Sequence, residues 1–420
     1  MFSLSPRPFS KSTQNRHRFP KTDSHSPNMQ FTDIIGQEAI KHKLITDAQA
    51  ERVPHALMLC GKEGCGALPL AVAFAQYLLC SGKMPQDNGP SMFGDPEPVA
   101  PLNHACGHCN SCLMAEKLQH PDLHFAFPIY KKNPSKANYC DDFLTEWREL
   151  LLDNPYFGYA EWRKASGAEN QQLMMYVEES DAIARKLSLK SSQGGYKVCI
   201  IWLPEKMHES CANKMLKLLE EPPQQTVFLL VSERPDLVLQ TIRSRTQMID
   251  VPALSEQEIE RTLITRNGIA EADAKLIAHT ANGSMTAALR AITSDTDESE
   301  YFDLFVSLMR LSYMRKVKEM KQWSEEVAAL GRERQKSFLV YCQHMLRENF
   351  IYNFHRPDLN YMNEQESQFA VKFAPFINER NVIGIMTELS LAQRDIEQNA
   401  NPKILFFDFA LKMIVLIKNR

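Results

Sequence analysis

Apolar positions along this chain follow two patterns. Between residues 55 and 251, short unbroken apolar runs alternate with longer stretches whose apolar residues recur every three or four positions. HALMLC (55–60), DLHFAF (122–127), KVCIIWL (197–203), TVFLLVS (226–232) and the segment 248–251 have strand length and read as buried strands. Between them, residues 67–80 place Leu70, Ala73, Phe74, Tyr77 and Leu78 at helical spacing, and further helices are predicted near 141–152, 177–191 and 209–221. The last of these stops at Pro222-Pro223, because proline cannot continue a helix. Strands alternating with helices predict an α/β module, a parallel sheet covered on both faces.

Beyond Ser255 only helical patterns remain. A small helical unit is expected over 253–293, a linker in the acidic, polar stretch 294–300, and a longer all-helical region over 300–420. That region carries Phe302, Phe305, Val306 and Met309, then Ile404, Phe407 and Leu411, at helical spacing. Residues 131–176 are polar and aromatic and read as an insertion into the α/β module, which is expected over 29–252. The first 28 residues are rich in Ser and Pro, with Arg7, Lys11, Arg16, Arg18 and Lys21 against Asp23. This composition imitates an organellar transit peptide, but reads more simply as a disordered tail or as residues upstream of a start at Met29.

Two positions show a nucleotide-binding frame without its chemistry. GKEGCGAL (61–68) has the glycine spacing of a phosphate-binding loop at Gly61 and Gly66, with Gly64 between, and it sits between a strand and a helix as such a loop must. Lys and Ser/Thr should follow, to neutralise the β/γ-phosphates and to hold Mg²⁺; Ala67 and Leu68 stand there instead. In ATPases of this kind a later strand ends in Asp-Glu, which binds the metal and activates water. Here Val198, Cys199, Ile200 and Ile201 are followed by Trp202 and Leu203. Glu205 lies two residues further on, but Pro204 and the register argue against it as a base, and Trp202 reads as packing. The expectation is an NTPase fold used as a scaffold, with ATP not bound by this chain.

The third pattern is Cys106-Gly-His-Cys109-Asn-Ser-Cys112. This C-x-x-C-x-x-C spacing puts three thiolates within reach of one ion, and a closed tetrahedral site needs a fourth ligand. Cys80, at the end of the helix after the phosphate loop, is the expected one; His104, His108, His120 and Cys140 compete. Structural zinc suits the pattern better than an iron–sulfur cluster, which lacks a nearby fourth Cys-Pro. Three free thiols in a loop are the plain alternative.

Bulk properties narrow the classes. The net charge is −3, so no global field draws nucleic acid, and any DNA contact is local or shared with partners. No run of 18 apolar residues exists, so no membrane span is expected. Ten cysteines without a secretory apolar segment suggest a reducing compartment, the cytoplasm.

At this point HALMLCGKEGCGALPLAVAFAQYLLC (55–80), CGHCNSC (106–112) with HPDLHFAFP (120–128), ANKMLKLLEEPP (212–223) and Ser244-Arg245-Thr246 together resemble the AAA+ clamp-loader subunits of bacterial DNA polymerase III. FTDIIGQEAIKHKL (31–44) is similar to the adenine-side segment of that family. The resemblance covers roughly residues 31–293 by motif. It implies an AAA+ module, a helical lid and a helical collar. It also implies a pentameric ring with delta and tau/gamma subunits that places a sliding clamp on primer-template DNA. In the family's Ser-Arg-Cys motif the Arg enters the neighbour's ATP site as a finger; Arg245 occupies that position here, with Thr246 in place of Cys. Active relatives carry Gly-Ser-x-Arg in the lid, where this chain has Gly283-Ser284-Met285-Thr286. That is a third lost element, and it implies the passive member of the ring rather than a motor.

Without the resemblance, Arg245 reads as an ordinary surface residue, and Arg243 stands close enough to share any role. Glu220-Glu221 put acid at a helix C-terminus, where the helix dipole disfavours it, which suggests a use such as contact with a neighbouring subunit, with simple solvation as the alternative. Two other functions stay open from sequence: an active AAA+ ATPase with divergent motifs, which ATP binding by the isolated chain would reveal, and a zinc-dependent nucleic-acid adaptor, which DNA binding without partners would reveal.

Overall fold

The five apolar runs pair into one parallel sheet. A computed structural model of the protein describes residues 29–82, 103–132, 137–168, 171–293, 296–356 and 359–418. The tail expected over 1–28 lies outside the described residues. The strands are β1 (Ala56–Cys60), β2 (Leu123–Ala126), β3 (Lys197–Trp202), β4 (Thr226–Ser232) and β5 (Gln247–Asp250), in the order β2-β3-β4-β1-β5. β1 pairs with β4 from Ala56 opposite Phe228, and with β5 from Leu57 opposite Gln247. Every residue of β1, β3 and β4 is buried, which is why these strands are near-continuous apolar runs rather than alternating ones, with polar residues only at the ends of β3 and β4. β5 is an edge strand: only Ile249 is buried.

Helices α1 (Glu38–Gln49), α2 (Ala67–Leu79), α3 (Asn110–Glu116), α4 (Leu144–Asp153), α5 (Tyr159–Ala165), α6 (Val177–Ser188), α7 (Glu209–Glu220) and the one-turn α8 (Gln240–Arg243) surround the sheet. All residues of α2 are buried, so it is a core helix rather than an amphipathic one. α9 (Glu256–Asn267), α10 (Glu271–Thr280) and α11 (Met285–Thr293) form a separate small core around Ile259, Leu263, Ala278 and Met285. The start of α9 is written in the sequence: Ser255 and Glu258 make a reciprocal capping box, and Gly268 ends the helix at φ 66°. α12 (Thr296–Met314), α13 (Val317–Ala329), α14 (Arg332–Tyr352), α15 (Glu364–Phe373), α16 (Val382–Glu397) and α17 (Pro402–Leu416) share a third core that includes Phe305, Trp323, Phe338 and Phe406.

Two expectations need revision. Most of the linker expected over 294–300 is helix, since α12 begins at Thr296. Of the stripe Ile404, Phe407 and Leu411, the last two pack partly buried against the core and Ile404 is 69% exposed, while Phe406, Phe409, Ala410 and Met413 are buried. α17 is apolar nearly all round, so spacing alone did not select a face. The described residues of 131–176 hold two α-helices, α4 and α5, not one, and both belong to the main core. Trp147 stacks on Phe127 with centroids 4.2 Å apart and meets Trp162 edge-on at 5.2 Å. Trp162 donates its indole N–H to the Pro128 carbonyl at 2.7 Å. The segment returns through an antiparallel bridge between Ile129 and Met174.

Candidate functional site

The phosphate loop leaves β1 at Gly61, whose N–H donates to the Ser232 carbonyl at 3.1 Å. Gly64 and Gly66 have φ of 80° and 94°, a region open to glycine and strained for other residues. Gly66 caps α2. The frame read from the sequence is therefore built, but its concave side is full. Tyr156, Phe157, Trp202 and Glu233 close over the loop and leave a cavity of about 20 Å³, whereas ligand pockets run to roughly 300–1,000 Å³. Tyr156 is locked in place: its hydroxyl accepts from the Ile35 N–H at 2.8 Å, and its carbonyl accepts from the Thr286 hydroxyl at 2.6 Å. The helical unit presses on the same loop. The Met285 N–H donates to the Gly64 carbonyl at 3.0 Å, and a Cβ on Gly64 would lie 2.2 Å from the Ser284 hydroxyl.

Charge inside this site is supplied by the protein. Arg290 of α11 reaches Glu63 in the loop at 2.5 Å and Glu161 of α5 at 2.6 and 2.8 Å. Glu161 also accepts from the Gly158 N–H at 2.8 Å. Burial works against its ionisation, but Arg290's hydrogen bonds and charge win and hold it below the usual carboxylate range. Glu63 shares the same guanidinium and goes the other way: burial raises it, and the Glu161 charge adds to that against Arg290's pull. Glu233 is pushed up to about 8 by burial and by the charges of Glu63 and Glu205. Arg290 was missed in the sequence reading. It lies one helical turn after Thr286, on the same face as the position where active relatives keep their lid Arg.

The Glu233 shift has a stability consequence with a definite sign. A carboxyl that binds its proton more tightly when folded supports the fold below its unfolded pKa, and the support is lost as pH rises through the folded value. For Glu233 the loss runs from roughly pH 4.5, the ordinary carboxyl range, to about 8. Glu233→Gln, which imitates the protonated form, will therefore raise the melting temperature at pH 8 by about 2 °C and leave it unchanged at pH 4. Thermal melts of both proteins at the two pH values check this; an equal shift at both would assign the effect to packing.

The second nucleotide-site position is structural. Trp202 is buried against Trp147 and Phe157, each at 5.2 Å. Leu203 takes a left-handed turn at φ 58°. Glu205 holds the loop after β4, accepting from the Ser232 hydroxyl at 2.9 Å and from the Glu233 and Arg234 N–H groups at 3.0 and 3.1 Å.

The cysteines converge. Cys80 ends α2, Cys109 caps α3, and Cys112 lies in its first turn. The sulfurs of Cys80, Cys106, Cys109 and Cys112 all lie within 4.8 Å of one another, with Cys80 to Cys109 at 4.0 Å and Cys106 to Cys112 at 3.8 Å. A zinc tetrahedron with Zn–S bonds of about 2.3 Å has an edge of about 3.8 Å, so the donor set fits zinc. Backbone N–H groups of Cys106, Cys109 and Cys112 donate to the sulfurs of Cys80, Cys106 and Cys109 at 3.3 to 3.4 Å, a pattern that favours thiolate. The Cys112 thiol, by hydrogen bonding, draws Cys80 down to about 4. Gly82 is needed for space: a Cβ there would come within 2.9 Å of the Cys106 sulfur. The competing ligands are engaged elsewhere. His120 bonds the Ser111 hydroxyl and the Asp122 N–H, His104 and His108 lie against the Ala105 and Cys106 carbonyls, and Cys140 donates to the Phe127 carbonyl. The cluster is compatible with structural zinc and has no open position for substrate.

Arg245 lies between α8 and β5, 35% exposed. It donates to the Thr241 carbonyl at 2.9 Å and pairs with Glu220, the last residue of α7, at 2.5 Å. β5 begins opposite Leu57, whereas the phosphate loop starts at Gly61, past the other end of β1. Arg245 is therefore at the end of the sheet away from its own loop. Arg243 has its Nε buried with no hydrogen-bond partner among the described residues. No described helix is long and apolar enough to cross a membrane.

A family model described as "DNA polymerase III, delta subunit" matches residues 36–255. DNA polymerase III subunit delta' of Escherichia coli (strain K12) is 27% identical over 256 residues, 60% of this chain and 59% of that protein. Subunit delta' of Bacillus subtilis (strain 168) is 24% identical over 246 residues, 59% of this chain and 56% of that one. Subunit gamma/tau of Mycobacterium tuberculosis (strain ATCC 25618 / H37Rv) is 24% identical over 216 residues, 51% of this chain and 27% of that one. The chain thus spans under three-fifths of the length of the delta' relatives it matches. The family match takes in the phosphate loop, the four cysteines and Arg245 and extends over more than half of the sequence, so the chain belongs to the DNA polymerase III delta subunit family.

Proposed function

We propose that this chain is a non-catalytic, delta'-type subunit of a DNA polymerase III clamp loader. It supports ATP-dependent loading of the sliding clamp on primed DNA without hydrolysing ATP itself. The observation that carries this reading is the filled phosphate loop. Tyr156 sits where a nucleotide needs space, and Glu63, Glu161 and Glu233 present carboxyl groups where a phosphate needs cations. Arg290, a cation beside the loop, is already engaged by two of them. In a motor subunit, bound nucleotide joins the loop to the lid; here the Arg290 ion pairs and the Met285–Gly64 hydrogen bond make that connection. This supports the delta' role over the gamma/tau role, although relatives of both kinds match the sequence.

In the same reading Arg245 is an arginine finger in trans, zinc held by Cys80, Cys106, Cys109 and Cys112 is structural, residues 253–293 are the lid, and residues 300–420 are the collar that joins delta and tau/gamma in a pentameric ring. The placement of Arg245 supports this, because it lies at the end of the sheet away from its own loop and is about a third open to solvent.

The isolated chain will show no heat of ATP-Mg²⁺ binding by titration calorimetry. Ala67→Lys with Leu68→Thr will not restore it, because Tyr156 and the carboxylates remain. Micromolar binding by the unmodified chain would overturn the reading in favour of a motor. A ring assembled from delta and tau/gamma with this chain should load clamp on primed DNA, and the same mixture lacking it should not.

A further inference from the structure

We propose that Glu220 is a positioning residue for Arg245, holding one side of its guanidinium so that the other side faces a phosphate on an adjacent subunit; this rests on the finger reading above. The residues around Glu220 show why an acid stands there. It is the last residue of α7, where the helix dipole disfavours negative charge, and the chain leaves through Glu221 and two prolines. Its carboxylate points to Arg245, with Oε1 2.5 Å from Nη2.

The guanidinium is held through its two Nη atoms. Nη1 donates to the Thr241 carbonyl at 2.9 Å and to the Ser244 hydroxyl at 3.4 Å, and Nη2 forms an ion pair with Glu220. A guanidinium has five N–H donors in a planar fork. The Nε–H makes no hydrogen bond among the described residues, so the fork keeps a donor for a phosphate on a neighbour. Both side chains are more than a third exposed, so the pair contributes little to folding. Its effect is on orientation: a long, flexible side chain is set in place before the neighbour's nucleotide arrives.

The experiment uses the assembled ring of this full chain with delta and tau/gamma, and reads DNA-stimulated ATPase as kcat and KM for ATP. The forms are wild type, R245A, E220A, E220D and the double variant. R245A defines the share of hydrolysis that depends on the finger. E220A should slow that share by roughly tenfold, within the roughly 10²-fold that a misplaced group costs. The loss should fall in kcat with KM unchanged, since Glu220 does not touch nucleotide. E220D should recover part of it, and the double variant should be no slower than R245A. If R245A is slow while E220A turns over at the wild-type rate or faster, the inference fails and the finger stands. A loss in E220A confined to KM or to ring assembly also overturns it, assigning Glu220 to the interface itself. A wild-type rate in R245A removes the finger reading, and the inference with it.

Discussion

Arg245→Ala will slow hydrolysis at one interface of the assembled ring by about 10³–10⁵-fold, the contribution of arginine fingers in phosphoryl transfer. The variant will fold and assemble normally, because Arg245 is partly exposed and its bonds are to one acid, the Thr241 carbonyl in α8 and the neighbouring Ser244 hydroxyl. Total ATPase will fall only in part, since the other interfaces keep their own residues, while clamp loading will fall further because it needs the sites to fire together. Arg245→Lys will rescue poorly: an ammonium is a point charge and cannot keep Glu220, Thr241 and a phosphate at once as a planar fork does. DNA-stimulated ATPase and clamp loading by rings carrying each variant measure this. A wild-type rate with Ala would reduce Arg245 to a surface residue or pass the role to Arg243, whose buried Nε makes it the poorer candidate.

Removal of the metal will have the second large effect. Purified chain will carry about one zinc, held by four thiolates. Two of the four sulfurs, those of Cys80 and Cys112, belong to buried residues, and without an ion four sulfurs within 4.8 Å would face one another. Binding free energy at such sites is folding free energy, so a chelator will loosen the end of α2 and all of α3. The sheet will survive, because its core is formed by β1, β3, β4 and the aromatic cluster around Trp147. Metal analysis and amide exchange before and after chelation report this. Cys80→Ser is the sharpest variant, since Cys80 is remote in sequence from the other three ligands. Zinc retained at full stoichiometry in that variant would move the fourth ligand to a histidine or to Cys140.

Some of this molecule was legible from residues alone, for local reasons. Strands buried on both faces are apolar through their middles, so β1, β3 and β4 stand out as apolar runs, with Lys197, Thr226 and Ser232 only at strand ends. The Cys106, Cys109, Cys112 spacing is set within one turn and the start of α3. The missing Lys and hydroxyl at Ala67 and Leu68 are absences at known offsets from Gly66. Each of these is a relation among residues a few positions apart, which a linear pattern records.

The rest depends on residues that only folding brings together. Arg290 meets Glu161 across 129 positions, and Thr286 meets Tyr156 across 130. No spacing announces such pairs, so what replaced the nucleotide was invisible although its loss was plain. The polar, aromatic look of 131–176 suggested an addition, yet Trp147 and Trp162 lie at the centre of the core, because an indole hides a large apolar surface; the Trp162 N–H has its acceptor, while the Trp147 N–H is buried with none among the described residues. In α17 nearly every position is apolar, so the packing of its neighbours, not the period of its own residues, chose Phe406 and Phe409 for the inside. The four-cysteine cluster combines both kinds of determination: three ligands follow from a local turn, and the fourth, Cys80, arrives because the long buried helix α2 ends beside it. Sequence by itself determined the strands, the bare frame of the phosphate loop and the local metal motif. Tertiary structure decided what fills that loop, which thiol completes the cluster and how Arg245 is held, since these rest on contacts between segments whose separation along the chain carries no signal of their nearness in space.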